Sequence, residues 1–209
     1  LGCKRLLLSD DYYPALAADN ATVVDGALVE VRPRSGVGAD GVERPLDVLI
    51  FATGFHVHDY PFGELVVGRE GRTLAETWGP SPVAHVGTTV AGFPNFFLIQ
   101  GPNTGLGHSS VLLTAEAQVG HVANALAAMR VRGLAAVEPT AEAQAAWAAE
   151  VDRMGEGTVW TAGGCESWYL DETGRNAAIW PGSVPAFRRR VAPFHPADYT
   201  LTPAHAVPA

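Results

Sequence analysis

The chain has 209 residues, 47% of them hydrophobic and 17% charged, with a formal charge of -8 at pH 7. That composition supports a packed core in one or two domains and excludes disordered and fibrous classes. The negative charge repels nucleic acid and anionic membrane surfaces, so neither is expected as a partner and a small neutral substrate fits better.

Two cysteines, Cys3 and Cys165, are too few for a disulfide framework. Nothing at the start resembles a charged segment followed by an apolar one, so a reducing, cytoplasmic setting is expected. The apolar stretches at Val48 to Ala52 and Phe96 to Ile99 fall far short of the ~20 residues that span a bilayer, and no transmembrane helix is expected. The chain opens at Leu1, without a methionine, and runs straight into Gly2-Cys3-Lys4-Arg5-Leu6-Leu7-Leu8. This is the pattern expected of a part of a larger protein.

In chain order, Ala21 to Arg32 is expected to be extended, with a break near Asp25-Gly26. Ser35 to Gly41, with three glycines and an aspartate, predicts a hairpin tip. Asp47 to Ala52 is a continuous apolar run of the kind buried on both faces of a parallel sheet. From His56 to Pro94 irregular structure is expected, with a short strand near Ala84 to Val90. Phe96 to Ile99 predicts a second buried strand, leading into the loop Gly101 to Ser110.

A long helix should follow. Its apolar positions Val111, Ala115, Val119, Val122, Leu126 and Met129 recur at spacings of three and four, with Ser109 or Ser110 as cap and Gly133 as stop. A second helix should start at the cap Thr140, bury Ala143, Ala146, Trp147, Val151 and Met154, and end at Gly155. A frayed tail is expected from Pro203.

Chemistry points to two places. At Thr53-Gly54 a small residue and a glycine end a strand where a cofactor can approach the backbone. In the loop at Gly101, Gly105 and Gly107 the backbone is bare, and the helix start beyond it presents free amides to an electron-rich edge. These glycines do not have the spacing of a dinucleotide fingerprint, and none occurs elsewhere. A pyrophosphate would therefore be held by residues outside this chain.

Taken in order, Gly2-Cys3-Lys4-Arg5, Tyr12-Tyr13-Pro14, Asp47 to Phe55, Gly101 to Ser110 and Ser167-Trp168-Tyr169 resemble the C-terminal portion of class B flavoprotein monooxygenases. That family comprises the Baeyer–Villiger and flavin-containing monooxygenases, and the resemblance covers nearly the whole chain. It implies an α/β fold: the C-terminal part of a flavoprotein with two dinucleotide-binding domains, with an incomplete nucleotide-binding sheet plus helices. Residues 1–55 would end the NADPH-binding domain and supply the return strand, and residues 56–209 would form the C-terminal part of the FAD-binding domain.

The resemblance further implies FAD and NADPH as cofactors of the full-length enzyme, a ketone as substrate, and an ester or lactone as product. The family's FAD and NADPH fingerprints have no counterpart here. The implied partner is thus an N-terminal segment of the same protein, without which the fragment is expected to be inactive, while flavin absorbance of the chain alone decides whether it holds FAD. Arg5 matches the arginine beside the flavin, where fixed positive charge stabilises developing negative charge. Lys4 matches a residue near the NADPH ribose phosphate and Trp168 one that contacts the nicotinamide cofactor, while Asn103, Thr104 and Leu106 would lie at the flavin ring.

Other readings stay open. The same cofactors oxygenate nitrogen or sulfur in flavin-containing monooxygenases, and a chain without a pyrophosphate loop is also compatible with a non-catalytic module that completes or binds another subunit. A Lys4-Arg5 pair at a chain end is, by itself, an ordinary solvated pair. His56 and His58 lack the geometry of a metal site, and His108 is placed for capping or packing. Arg188-Arg189-Arg190 fits a solvated face. Cys165 has no basic neighbour to activate it, and Trp160 and Trp180 suit a core.

Overall fold

A computed structural model of the chain describes residues 5, 7–54, 57–164 and 167–204. The chain divides into two compact units, Leu7–Phe55, and Leu1–Leu6 with His56–Ala209.

The unit Leu7–Phe55 holds the short helix α1 (Tyr12–Leu16) and an antiparallel ribbon of β1 (Leu28–Arg32), β2 (Ser35–Gly38) and β3 (Glu43–Pro45), in that order. The expected extension of 21–32 shrinks to β1, after a bend at Asp25-Gly26. The expected tip at Ser35 to Gly41 is half strand: Ser35 and Gly36 pair with Arg32 and Val31, and the tips fall at 33–34 and 39–41. Pro33 has no N–H for a ladder and takes the first turn. Gly36 lies flat beneath Leu28 and Leu46, which would stand 2.8 and 2.9 Å from a Cβ there.

Asp47 to Ala52 corrects a second expectation. It forms no strand, and Val48, Ile50 and Phe51 are exposed. A strand buried on both faces needs neighbours on both sides, and among the described residues none pairs with this run.

In the larger unit, a 3₁₀ turn at Pro61–Glu64 precedes α2 (Leu74–Trp78). The sequence expectation of irregular structure missed α2, although Thr73 and Glu76 form a reciprocal capping box at its start. Leu74 and Trp78 pack with Ala84, Val90, Phe93 and Leu98. The strand expected near Ala84 to Val90 is a tight turn bridged between His85 and Thr89. Its Gly87 sits at φ 65°, hard against Thr104. Phe96 to Ile99 likewise gives a single bridge, Thr89 to Phe97, instead of a strand. Asn95 and Gln100, at φ 58° and 64°, turn the backbone at both ends of the run.

The long helix α3 (Leu112–Arg132) ends at Gly133 in the left-handed conformation, as expected. Its start differs, because Val111 is the N-cap and no side chain caps it. The buried face also differs from the expected apolar one: Thr114, Ala117, Gln118, His121 and Ala125 point inward. Gln118 Nε2 donates to the Gly87 carbonyl at 2.8 Å, and its Oε1 accepts from the Gln100 amide at 2.9 Å. His121 Nδ1 lies 2.7 Å from the Val191 carbonyl and 3.0 Å from that of Pro193. Carbonyls only accept, so Nδ1 carries the proton and Nε2 accepts from Tyr199 Oη at 2.8 Å. Tyr199 in turn accepts from Thr89 at 3.0 Å. Burial pushes the His121 and His85 pKa values down and that of Tyr199 up.

Next come β4 (Leu134–Pro139), α4 (Ala141–Gly155), α5 (Val159–Ala162), α6 (Val184–Val191) and, after a 3₁₀ turn at Pro196–Asp198, β5 (Tyr199–Pro203). Pro203, expected to begin a frayed tail, instead ends β5, which pairs antiparallel with β4. Thr140 caps α4, accepting from the Ala143 amide at 3.1 Å, and Trp147 and Val151 are buried as expected while Ala146 is exposed. The core joins Val86, Leu106, Ala117, Trp147, Val151, Trp180, Phe187 and Val191. Trp147 and Trp180 stack at 5.6 Å, with Phe187 edge-on at 5.4 Å. Arg188 to Arg190 occupy the last turn of α6, where Arg190 pairs with Glu150 at 2.6 Å. Among the described residues no helix is long and apolar enough to cross a membrane, and no cluster of metal-ligating side chains occurs.

Candidate functional site

Where the loop 100–111 meets the segment 168–179, the larger unit opens into a cleft of about 320 Å³. Its walls are mainly apolar, from Val57, Tyr60, Leu106, Val111 and Ile179. Four of the sequence-predicted site residues border it: Arg5, Thr104, Leu106 and Trp168.

Arg5 is tied to the loop by its guanidinium. Nη1 donates to the Leu106 carbonyl at 2.7 Å and Nη2 to that of Ser109 at 3.2 Å. A fork that spans two carbonyls keeps the planar cation in one place. Tyr169 borders the same cleft. Burial pushes its phenol pKa up, with the charge of Arg5 opposing the shift. Trp168 is half-exposed and lies against Tyr169, ring centres 4.4 Å apart.

The loop side chains turn inward. Thr104 Oγ1 donates to the Gly101 carbonyl at 2.7 Å, and Leu106 packs into the tryptophan core. Asn103 does not line the cleft. At φ 59°, its Nδ2 donates to the Asn176 carbonyl at 2.6 Å and its Oδ1 accepts from Arg175 at 3.2 Å. Arg175 is clamped in turn by Asp152 at 2.8 and 3.1 Å. A backbone bridge from Gly105 to Ile179 closes the same junction. Gly101 and Gly105 therefore face the chain itself, since a Cβ on either would strike the Gly87 or Ala178 carbonyl.

Thr53 and Gly54 belong to the unit Leu7–Phe55, where Thr53 borders an apolar trough beside β1 and Gly54 is exposed at φ 96°. Lys4 lies outside the described residues. Sequence reasoning singled out neither Ile179 nor the place of Tyr169 on the cleft with Arg5. The motif Ser167-Trp168-Tyr169 held the signal for Tyr169, but its spacing does not reveal a cleft shared across more than 160 residues.

The slightly larger depression at the start of α4, about 360 Å³, is polar. Glu138 fills it chemically, pairing with Arg69 at 3.0 Å and accepting from the Gly92 amide at 2.8 Å.

The first cleft suits the ring end of a flavin: mainly apolar walls, one guanidinium tied to the loop at the edge, and the uncapped start of α3, whose partial positive charge favours an electron-rich edge. No fingerprint for the pyrophosphate accompanies it.

No protein-family model matches the chain. It is 49% identical over 208 residues to a Baeyer–Villiger monooxygenase of Streptomyces coelicolor, covering 99% of this chain and 40% of that protein. It is 43% identical over 203 residues to a Baeyer–Villiger monooxygenase of Pseudomonas aeruginosa, covering 97% and 38%. Among solved structures, that of OTEMO in complex with FAD and NADP superposes with a TM-score of 0.80 at 27% identity, covering 97% of this chain and 38% of that one. The chain thus spans about 40% of the length of the curated relatives it matches. Similarity along nearly all of its sequence and fold shows that this α/β chain corresponds to the C-terminal region of flavoprotein monooxygenases of the Baeyer–Villiger family.

Proposed function

We propose that the chain works as the C-terminal part of an FAD- and NADPH-dependent monooxygenase that converts a ketone to an ester or lactone. The observation that carries this reading is the convergence of Arg5, Trp168 and the loop 101–107 on one apolar cleft at the uncapped start of α3. The balanced reaction consumes ketone, O₂, NADPH and a proton, and yields ester, NADP⁺ and water. Bound flavin supplies the oxygen activation and NADPH the two electrons.

The chain's own residues have distinct tasks. Arg5 stays protonated at any working pH and presents fixed positive charge to oxygen atoms that become negative during the reaction. Its bonds to the Leu106 and Ser109 carbonyls hold that charge in place beforehand. Arg5 is exposed in this chain, and the apolar wall of Ile179, Leu106 and Val57 would strengthen the charge effect once a bound cofactor displaces water from the cleft. The half-exposed face of Trp168 offers a stacking surface to the nicotinamide cofactor, and Lys4 would meet its ribose phosphate. Thr104 and Leu106 shape the flavin-ring wall through the backbone, and Asn103 sets the loop that carries them.

In the same reading, residues 1–55 end the NADPH-binding domain, with Thr53-Gly54 facing a cofactor, and residues 56–209 belong to the FAD-binding domain. The small number of cysteines fits a cytoplasmic enzyme.

The test is NADPH oxidation by the chain joined to its N-terminal part, with a panel of ketones, sulfides and amines. Ketone-stimulated oxidation with ester formation is expected. Turnover of sulfides or amines alone would move the protein to nitrogen or sulfur oxygenation, and loss of all turnover despite bound FAD would point to the non-catalytic module.

A further inference from the structure

Gln100 brings an amide to a cleft whose walls are otherwise mainly apolar. Its backbone sits at φ 64°, and its N–H donates to Gln118 Oε1 at 2.9 Å. Gln118 is fully buried and anchored in turn on the Gly87 carbonyl at 2.8 Å. The side chain of Gln100 is held as well. Its Nε2 donates to the Val111 carbonyl at 3.3 Å and to Thr114 Oγ1 at 3.2 Å, while Thr114 Oγ1 donates its own hydrogen to the same carbonyl at 2.7 Å.

These partners fix which way round the amide lies. The Val111 carbonyl can only accept, so the NH₂ group faces the start of α3 and spends both hydrogens there. Oε1, on the other branch of the same planar group, bonds to no described residue. Of the side-chain oxygens on the described lining residues it alone carries no hydrogen, so it can only accept.

Gln100 is exposed, and in the open cleft water satisfies Oε1. A ligand that fills the cleft displaces that water. Without a donor on the ligand, the acceptor is stranded against apolar walls, which weakens binding roughly tenfold or more. A plain ketone has no such donor, because its one polar atom is a carbonyl oxygen, which suits the Arg5 guanidinium on the same cleft. A fixed acceptor and a fixed cation on one apolar cleft match a molecule with one donor and one acceptor. A hydroxyl is the better donor, since a protonated amine would enter a cleft that already holds the charge of Arg5.

We infer that Gln100 is a specificity-determining residue, and that the ketone it selects also carries a hydroxyl group, whose O–H donates to Gln100 Oε1. This rests on the proposed ketone oxygenation and narrows its substrate class.

The test uses the chain joined to its N-terminal part and loaded with FAD, kept free of O₂ and NADPH so that binding is read without turnover. The probes are the three ring isomers of hydroxycyclohexanone, each paired with the methylcyclohexanone of the same substitution, and Kd is read from the perturbed flavin absorbance. The quantity scored is the preference for hydroxyl over methyl in the wild type, divided by that in Gln100→Met, which keeps the chain length and lacks the amide. It should reach roughly tenfold or more for at least one pair. Loosening of α3 through the lost Nε2 bonds weakens both members of a pair alike and cancels. Gln100→Leu, a second replacement without the acceptor, should give the same value. A value within about twofold for all three pairs, the ordinary limit of additivity, overturns the inference. So does a fall in FAD affinity in both variants with the hydroxyl preference unchanged, which assigns Oε1 to a donor on the flavin ring. Ketone turnover is scored separately. A Gln100-dependent hydroxyl preference in an enzyme that oxygenates no ketone keeps the selecting role and removes the reaction, and ketone oxygenation without that preference does the reverse.

Discussion

Replacing Asn103 separates two effects that shape the cleft wall. Its backbone is left-handed at φ 59°, and its amide serves the Asn176 carbonyl and Arg175. Asn103→Gly removes the side-chain bonds alone, and leaving a buried polar group unpaired costs about 1–3 kcal/mol. Asn103→Ala loses the same bonds and also strains the backbone, because a left-handed residue with a Cβ costs about 1–2 kcal/mol. Glycine's greater freedom in the unfolded chain takes back about 0.5–1 kcal/mol of that advantage. The alanine variant should thus be the least stable, by about 0.5–1 kcal/mol relative to glycine. Urea unfolding followed by tryptophan fluorescence reads this directly, since Trp147 and Trp180 stack in the core next to Leu106. The reasoning is refuted if both variants unfold within ~0.3 kcal/mol of wild type, well below the loss of one buried bond, or if alanine is at least as stable as glycine.

Between pH 8 and about 6.5, the ordinary histidine value, stability should be nearly flat, and it should fall below that. Burial lowers the folded pKa of His85 and His121, so the unfolded chain takes up protons first as pH drops. Each histidine contributes a slope of up to about 1.4 kcal/mol per pH unit until its folded pKa is passed, which urea titrations from pH 8 to 5 would show. Tyr199→Phe strands the Nε2 acceptor of His121 and should cost about 1–3 kcal/mol at pH 7.5. The deficit should shrink at lower pH, where the unsupported imidazole protonates more readily, and a deficit that grows would contradict the tautomer assignment. Trp180→Ala should cost about 3–5 kcal/mol by opening a cavity between Trp147 and Phe187, measured by the same unfolding assay. In the joined enzyme Arg5→Ala should lower kcat by roughly 10²-fold or more, and Arg5→Lys should recover only part of it, because one ammonium cannot hold both carbonyls.

What could be foreseen from sequence follows the range of the forces involved. The cap at Thr140, the buried Trp147 and the stop at Gly133 are local matters of helix chemistry, and they stand where the pattern put them. The apolar run at Asp47 to Ala52 and the apolar positions Val119 and Leu126 on α3 report environments that this chain alone does not supply, so both lie exposed. The inner face of α3 escaped notice because Gln118 and His121 are buried for their hydrogen bonds, which no hydrophobic period records. At the site, family resemblance found Arg5 and Trp168 on the cleft. It did not foresee that Asn103 turns toward Arg175, a contact between loops 72 residues apart.

The most direct test is mass spectrometry of the product that the joined enzyme forms from a cyclic ketone with NADPH under ¹⁸O₂. The account predicts a lactone carrying a single ¹⁸O atom, formed by the wild type and strongly reduced in Arg5→Ala. A fully loaded enzyme that leaves the ketone unchanged, or forms labelled lactone equally well without Arg5, would contradict it.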